Sequence, residues 1–327
     1  MKRVLLTGGA GFIGCHAARI LLEMDYEVAI YDSFVHYVYP LNRVHIDNIQ
    51  NRVKQIEAKV KIYRGSTHDH DCLRRALLDF RPQRIVHLAA MPLANLAVEH
   101  PEEAVQAILM GTLNLLQGAR ELQQFERLVY VSSSMVYGDF ARVPIAEEDP
   151  KDPREVYGSM KYSGELLVRA FGRLFGIDYA IVRPSAVYGP TDNNRRVLGI
   201  FLENALSRKP LVVRGADNAL DFTFVEDAAR GVVAAALHDN ASQKAYNITR
   251  GQGRTIREAA QIVARLVPGT EIEIAERDKR MPVRGTLDIQ RARQEIGYAP
   301  QVDLEEGLTR YHAYLLDQRK RGLWSAE

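Results

Sequence analysis

A chain of 327 residues is long enough for one large unit or two modest ones around a substantial core. Its 43 basic and 41 acidic side chains leave a net charge of +2, so no global field draws it to nucleic acid or to an anionic membrane surface. With 46% apolar and 26% charged residues the composition is that of an ordinary globular protein, and no apolar run approaches the roughly 20 residues that span a bilayer.

Arg3-Val4-Leu5-Leu6 reads as a strand almost immediately after Met1, which leaves no room for a signal peptide. Cys15 and Cys72 lie in predicted helices without metal or redox spacing, so both are expected to be reduced, as in a cytoplasmic protein. "VLLTGGAGFIG" then places Gly8, Gly11 and Gly14 between that strand and an amphipathic helix, with the spacing G-x-x-G-x-x-G. A helix start offers unpaired N–H groups and the positive end of its dipole, and glycines keep side chains away from a pyrophosphate seated there. The next strand, "EVAIYD", ends in Asp32, where a carboxylate can accept from adenosine ribose hydroxyls and would repel a 2′-phosphate. No arginine follows immediately, so NAD is expected rather than NADP.

Residues 36 to 50 are rich in His, Tyr and Asn and read either as a flap near the adenosine or as a surface excursion. "VKIYRG", "RIVHLAA", "RLVYVSS" and "YAIVRPS" continue the alternation of short aliphatic runs with helical stretches. The helix beginning near Glu102 carries Ala104, Ile108, Leu115 and Leu116 near one face. This alternation predicts an α/β fold, a doubly wound parallel sheet of Rossmann type with helices on both faces. After Pro184 the polar loops "YGPTDNNRR", "RGADNALDF" and "ERDKRMPVRG" suggest a smaller substrate-binding lobe. "LVVRG", "EDAARGVVAAAL" and "KAYNIT" read as a return to the sheet. The expected division is therefore a dinucleotide-binding unit over 1–183, with returning segments about 211–250, and a mainly substrate-binding lobe over 184–327, interleaved with it. The nine histidines show no metal-ligand spacing, and no metal is expected.

"YGSMK" puts Tyr157 and Lys161 four residues apart in a helical stretch, on one face. An ammonium beside a phenol favours the phenolate and lowers a pKa normally near 10, which makes a general base. The spacing alone is common. Its place after the glycine loop and the serine-ended strand "VYVSSS" is what gives it weight.

With these motifs in order the chain resembles the extended short-chain dehydrogenase/reductase family, in its nucleotide-sugar branch of epimerases, 4,6-dehydratases and decarboxylases. The resemblance runs nearly the full length and also takes in "HLAA", "GTLNLL", "RPSAVYGP", "DFTFVEDAARG" and "MPVRGTLDIQRARQEIGYAP". It implies cofactor contacts at Gly8, Gly11, Phe12, Ile13, Gly14, Asp32, Leu88, Ala89, Ala90, Tyr157, Lys161 and Pro184. It implies that Tyr157 takes a proton from a sugar hydroxyl, that Ser133 hydrogen-bonds the reacting oxygen, and that Lys161 tunes Tyr157 and holds the nicotinamide ribose. Ser134 and Met135 would face the sugar. In the resembling dehydratases an Asp-Glu pair stands at these two positions, and the decarboxylases keep the glutamate. A thioether transfers no proton at neutral pH, so Met135 counts against both reactions, although it also fits plain packing.

The implied activity is NAD-dependent epimerisation of a nucleotide sugar, most simply at C4 through a transient 4-keto sugar. The alternatives are dehydration, decarboxylation or ketoreduction and, more remotely, a non-catalytic NAD-binding regulator. The branch also implies a homodimer formed through a four-helix bundle from residues 101 to 123 and 153 to 175. Ser66, Ile108, Ala186 and Leu220 depart from the branch pattern, the last where an arginine often grips the diphosphate. Arg195, Arg196, Arg214, Arg280 and Arg284 are the candidate replacements, or else solvated surface arginines.

Overall fold

The computed structural model describes residues 2–37, 41–279 and 281–324. Its core is a sheet of seven parallel strands. These are β1 (Arg3–Thr7), β2 (Glu27–Asp32), β3 (Lys61–Arg64), β4 (Arg84–His87), β5 (Arg127–Val131), β6 (Tyr179–Pro184) and a last strand, Lys244–Ile248, which lies beside β6. β4 and β5 are buried at every residue, and β1 at every residue after Arg3. Such runs have no face to give to water, which requires helices on both sides of the sheet.

Alternation along the strands assigns the faces. Val4, Leu6 and Ile30 pack with α1 (Phe12–Glu23) and the helix Val225–Leu237, through Leu21, Val232 and Ala236. Leu5, Tyr31, Ile85 and Leu128 pack on the opposite face with Leu73, Leu77, Leu115 and Val168. The chain leaves β1 toward β2 and β3, then crosses back to β4 on β1's other side. That reversal opens a crevice beyond the carboxyl ends of β1 and β4, where ligands bind in open α/β sheets.

The smaller lobe has its own core, including Leu198, Phe201, Leu202, Ile262, Val263, Leu308 and Tyr311. The segment expected to return to the sheet over 211–250 divides. Leu211–Arg214 pairs with Ile272–Ala275 in the smaller lobe, and only the helix Val225–Leu237 and the strand Lys244–Ile248 rejoin the main sheet. The burial of Leu211–Arg214 explains this: Leu211 and Val213 are buried while Val212 and Arg214 are exposed, so the strand suits a sheet covered on one side only. The helix beginning at Pro101 buries Ala104, Ile108, Leu115 and Leu116, but passes through a π-helical turn at Val105–Met110 before Gly111–Arg120.

The segment after Asp32 leads to α2 (Arg43–Lys54), a bridge between the lobes. Asn48 donates to Asn193 at 2.7 Å and accepts from Tyr314 at 2.6 Å, and the Arg52 guanidinium donates to the Thr191 carbonyl at 3.1 Å. Residues 38 to 40 of the same stretch lie outside the described residues.

His87, at the end of β4, is 1% exposed and sits between the hydroxyls of Thr7 at 2.6 Å and Thr112 at 3.1 Å. Burial, reinforced by Lys161, pulls the imidazole down to about 3. Between pH 6.5 and 3 the unfolded chain therefore takes up a proton that the folded one refuses. The stability His87 contributes is present above pH 6.5 and is lost as pH falls through that window. Urea midpoints measured from pH 7 to pH 4 should fall less steeply in His87→Gln than in the parent. Equal slopes would refute the assignment.

Candidate active site

Gly8 follows β1 with φ +70°, and a Cβ there would lie 2.7 Å from the Ala89 nitrogen. Gly14 is pressed to the loop in the same way, since its Cβ would come within 2.4 Å of the Gly8 carbonyl oxygen. Only glycine permits both approaches. Gly11 caps α1 without a side-chain hydrogen bond, so the first-turn N–H groups point outward unobstructed. Asp32 accepts from the Ala10 N–H at 3.0 Å and the Phe34 N–H at 2.8 Å, one on each oxygen, and burial raises its carboxyl above the usual range. Each oxygen keeps a further lone pair for a ligand hydroxyl.

These groups line one cleft of about 840 Å³ together with Phe12, Ile13, Leu88, Ala89, Ala90 and Pro184, so every expected cofactor position faces it. At the other end of the cleft stand Ser133, Ser134, Met135, Tyr157 and Lys161. β5 ends at Val131. Ser132 turns inward and donates to Glu165 at 2.6 Å, while Ser133 caps the turn Ser134–Tyr137 by accepting from the Met135 N–H at 3.2 Å. Ser134 and Met135 are 1% and 7% exposed and form cleft wall.

Tyr157 and Lys161 lie in the helix Val156–Phe175. The Lys161 ammonium is 5.9 Å from the Tyr157 ring centre and donates to the Val131 carbonyl at 2.8 Å. The expected lowering of the phenol by lysine is not what this structure holds. Burial raises the Tyr157 phenol above its ordinary value, and the groups that oppose burial are the Arg196 guanidinium and a hydrogen bond with Ser133. Lys161 is itself pulled down to about 7 by burial, against the attraction of Glu165. An ammonium this deeply enclosed is only partly charged near neutrality, so it has less field to lend the phenol.

Two features here carried no sequence signal that singled them out. Glu155 caps the helix, accepting from the Tyr157 N–H at 2.8 Å and the Gly158 N–H at 2.6 Å, and it faces the cleft. A glutamate two residues before the tyrosine was the available hint. Beneath the site, Arg183 and Glu165 form a bidentate pair at 2.9 and 2.6 Å, both 0% exposed.

Of the candidate arginines, Arg196 and Arg284 line the cleft. Arg195 turns away with φ +44° toward Glu203, and Arg214 is exposed on the smaller lobe's strand; neither reaches the cleft. The two are corrected to surface arginines, because one backbone turn and one strand alternation aim them outward. Arg280 lies outside the described residues. Ser66, Ala186 and Leu220 line the cleft, whereas Ile108 is 1% exposed within the core. Among the described residues no group of three His, Cys, Asp or Glu is placed to hold a metal, and no helix is long and apolar enough to cross a membrane.

Residues 4–249 match the model of the NAD-dependent epimerase/dehydratase family. A protein of Methanocaldococcus jannaschii provisionally named UDP-glucose 4-epimerase is 30% identical over 314 residues, covering 94% of this chain and 96% of that one. The solved UDP-glucose 4-epimerase of Thermotoga maritima, with UDP-glucose, is 26% identical, covers 97% of this chain and 99% of its own, and superposes with a TM-score of 0.87. A dTDP-glucose 4,6-dehydratase of Streptomyces venezuelae, solved with NAD bound, is 28% identical, covers 98% and 100%, and has a TM-score of 0.86.

Proposed function

The chain belongs to the NAD-dependent epimerase/dehydratase family, and from that premise and the geometry of its cleft we propose that it inverts a nucleoside-diphosphate sugar at C4 through a transient 4-keto sugar. The observation that carries this reading is Met135 in the cleft wall beside an assembled Ser133, Tyr157 and Lys161. Dehydration or decarboxylation needs a further proton carrier there, and a thioether is none. Epimerisation needs none, because hydride leaves and returns at the same carbon.

The glycine loop, the open start of α1 and the Asp32 carboxylate fit NAD, since they leave room for a pyrophosphate and acceptors for ribose hydroxyls. Phe12, Ile13, Leu88, Ala89, Ala90 and Pro184 would flank it, and Lys161 would hold the nicotinamide ribose. Bound NAD supplies the hydride acceptor and donor for C4. Tyr157 takes the O4 proton as the ketone forms and gives it back to the reduced sugar, and Ser133 hydrogen-bonds the same oxygen in both directions. Ser134 and Met135 form the wall past which the keto sugar turns.

Incubating the NAD-loaded protein with UDP-glucose, UDP-galactose, UDP-glucuronate and their N-acetylated counterparts, with no added reductant, should interconvert a C4 pair at unchanged mass. Loss of water or carbon dioxide would overturn the reading, and the similarity to a dehydratase makes water the product to look for.

Two exposed apolar stripes support a homodimer through a four-helix bundle. Val105 and Met110 are 36% and 42% exposed along the helix that starts at Pro101, and Leu166 and Leu174 are 50% and 74% exposed on Val156–Phe175. Pairing with a second copy would cover both stripes. Sedimentation should give a dimer for the parent and a folded monomer for Leu166→Glu; a monomeric parent removes the proposal. Both cysteines are free, which suits the reducing cytoplasm.

A further inference from the structure

α2 belongs to the larger unit and follows the strand that ends in Asp32, yet it reaches the loop that leads into the smaller lobe. Arg52 lines the cleft, its charge is felt by the Asp32 carboxylate, and its guanidinium donates to the Thr191 carbonyl at 3.1 Å. One turn earlier Asn48 Nδ2 donates to Asn193 Oδ1 at 2.7 Å, and Asn193 Nδ2 donates to the His45 carbonyl at 3.1 Å. These bonds tie α2 to residues 189–196, which join the strand Val187–Tyr188 to the helix Val197–Leu206. The same segment puts Asn193, Asn194 and Arg196 into the cleft wall, and the charge of Arg196 is felt at Tyr157.

The shape of this segment is strained. Thr191 has φ +71° and Arg195 φ +44°, both in the left-handed region, and Thr191 is β-branched, for which that conformation is a steric outlier. Residues persist there when their surroundings over-determine them. Bonds inside the segment run from the Asp192 N–H to the Gly189 carbonyl at 3.3 Å and from the Asn194 N–H to the Asp192 carboxylate at 3.0 Å. They leave the Thr191 carbonyl and the Asn193 amide to α2.

α2 is fixed in turn from its other side. Tyr314 and Gln318 donate to Asn48 Oδ1 at 2.6 and 2.7 Å, and Gln318 and Arg321 bond the Asp47 carboxylate. Asn48 is 3% exposed and Gln318 0%. A buried contact made of directional polar bonds sets one position for its partners, where apolar side chains could slide.

We propose that Asn48 and Arg52 are positioning residues of the substrate site: through them α2 holds residues 189–196 in the strained shape that sets Asn193, Asn194 and Arg196 against the sugar nucleotide. Asn48 acts from outside the cleft wall, so its effect passes through the segment and not through contact with a ligand. The identity of the ligand rests on the epimerase reading, whereas the hold on the segment can be measured with no ligand present.

The test compares Asn48→Ala and Tyr314→Phe with the parent, all NAD-loaded, by amide hydrogen exchange and by equilibrium binding of UDP-glucose. Both substitutions take polar contacts from one buried cluster, but only the first cuts the bond to Asn193. Asn48→Ala should speed exchange over 189–196 by tenfold or more and weaken UDP-glucose by fivefold or more, with exchange in β1, β4 and β5 unchanged. Tyr314→Phe should stay within twofold of the parent in both, even where it lowers the melting temperature as far. Unchanged exchange over 189–196 in Asn48→Ala, or equal loosening in Tyr314→Phe, overturns the proposal. Faster exchange with unchanged affinity also overturns it, because the link would then be structural alone. Should Asn48→Ala not fold, Asn193→Ala cuts the same link from the segment's side and must show the same faster exchange. A parent that binds no UDP-glucose counts against the epimerase reading, and the exchange result still decides whether α2 holds the segment.

Discussion

Tyr157→Phe should lower turnover by about three orders of magnitude while leaving NAD in place. Positioned proton transfer contributes roughly 10²–10⁴-fold, and a phenyl ring has no proton to exchange. The phenyl ring keeps the contacts that the tyrosine ring makes with its apolar surroundings near Met91 and Ala97. Loss of the hydroxyl therefore removes chemistry and little packing. Because burial raises the phenol, the parent's rate should climb with pH through the neutral range, as the phenolate fraction grows. Ser133→Ala removes a hydrogen bond that favours the phenolate, so its profile should shift toward higher pH with a smaller loss of rate. Single-turnover measurement of C4 inversion, with NAD content read in parallel, checks both variants. Turnover in Tyr157→Phe within tenfold of the parent would refute the assignment of the base.

Arg183→Leu should destabilise the fold by about 3–5 kcal/mol, the usual penalty for removing one partner of a buried ion pair. Both side chains are fully enclosed, and the guanidinium also donates to the Tyr137 hydroxyl at 2.8 Å and the Glu147 carbonyl at 3.0 Å. The leucine variant leaves the Glu165 carboxylate without its counter-charge in the same enclosure. Replacing both residues, Arg183→Leu with Glu165→Met, should restore a large part of the loss, since the cost lies in the unpaired charge more than in the absent bond. Denaturant titration of the two variants measures this. A single variant within about 1 kcal/mol of the parent, or a double variant no better than the single, would show that the pair is not doing this. The site should feel the change as well: Ser132, bonded to Glu165, immediately precedes Ser133, and the Lys161 ammonium feels the field of Glu165. Reduced turnover in the double variant, with stability recovered, would separate positioning from folding.

Much of the cofactor half was legible because its chemistry is local. A glycine loop works through residues three apart on a strand-turn-helix, and its neighbours in sequence are its neighbours in space. Asp32 at a strand end and the four-residue interval from Tyr157 to Lys161 obey the same logic, since a strand tip and a helix face are set by short-range geometry. The strands were legible because full burial of a parallel sheet demands unbroken apolar runs. Leu211–Arg214 looked like one more such strand, and only its partner in the smaller lobe shows why every second residue is exposed.

The sequence by itself determined the parallel sheet, the glycine loop after its first strand, the four-residue interval from Tyr157 to Lys161 on one helix, and the absence of an acid at position 135, all of them properties of residue type at short spacing. Only the tertiary structure decided which arginines line the cleft. Arg195 and Arg196 are adjacent in sequence, yet the backbone between them sends one to solvent and the other into the cleft. It also decided the charge balance around Tyr157. Lys161 is lowered by enclosure, and Arg284 meets Glu155 across more than a hundred residues of chain. Burial and through-space charge depend on what the whole chain packs around a group, and no local pattern carries that information.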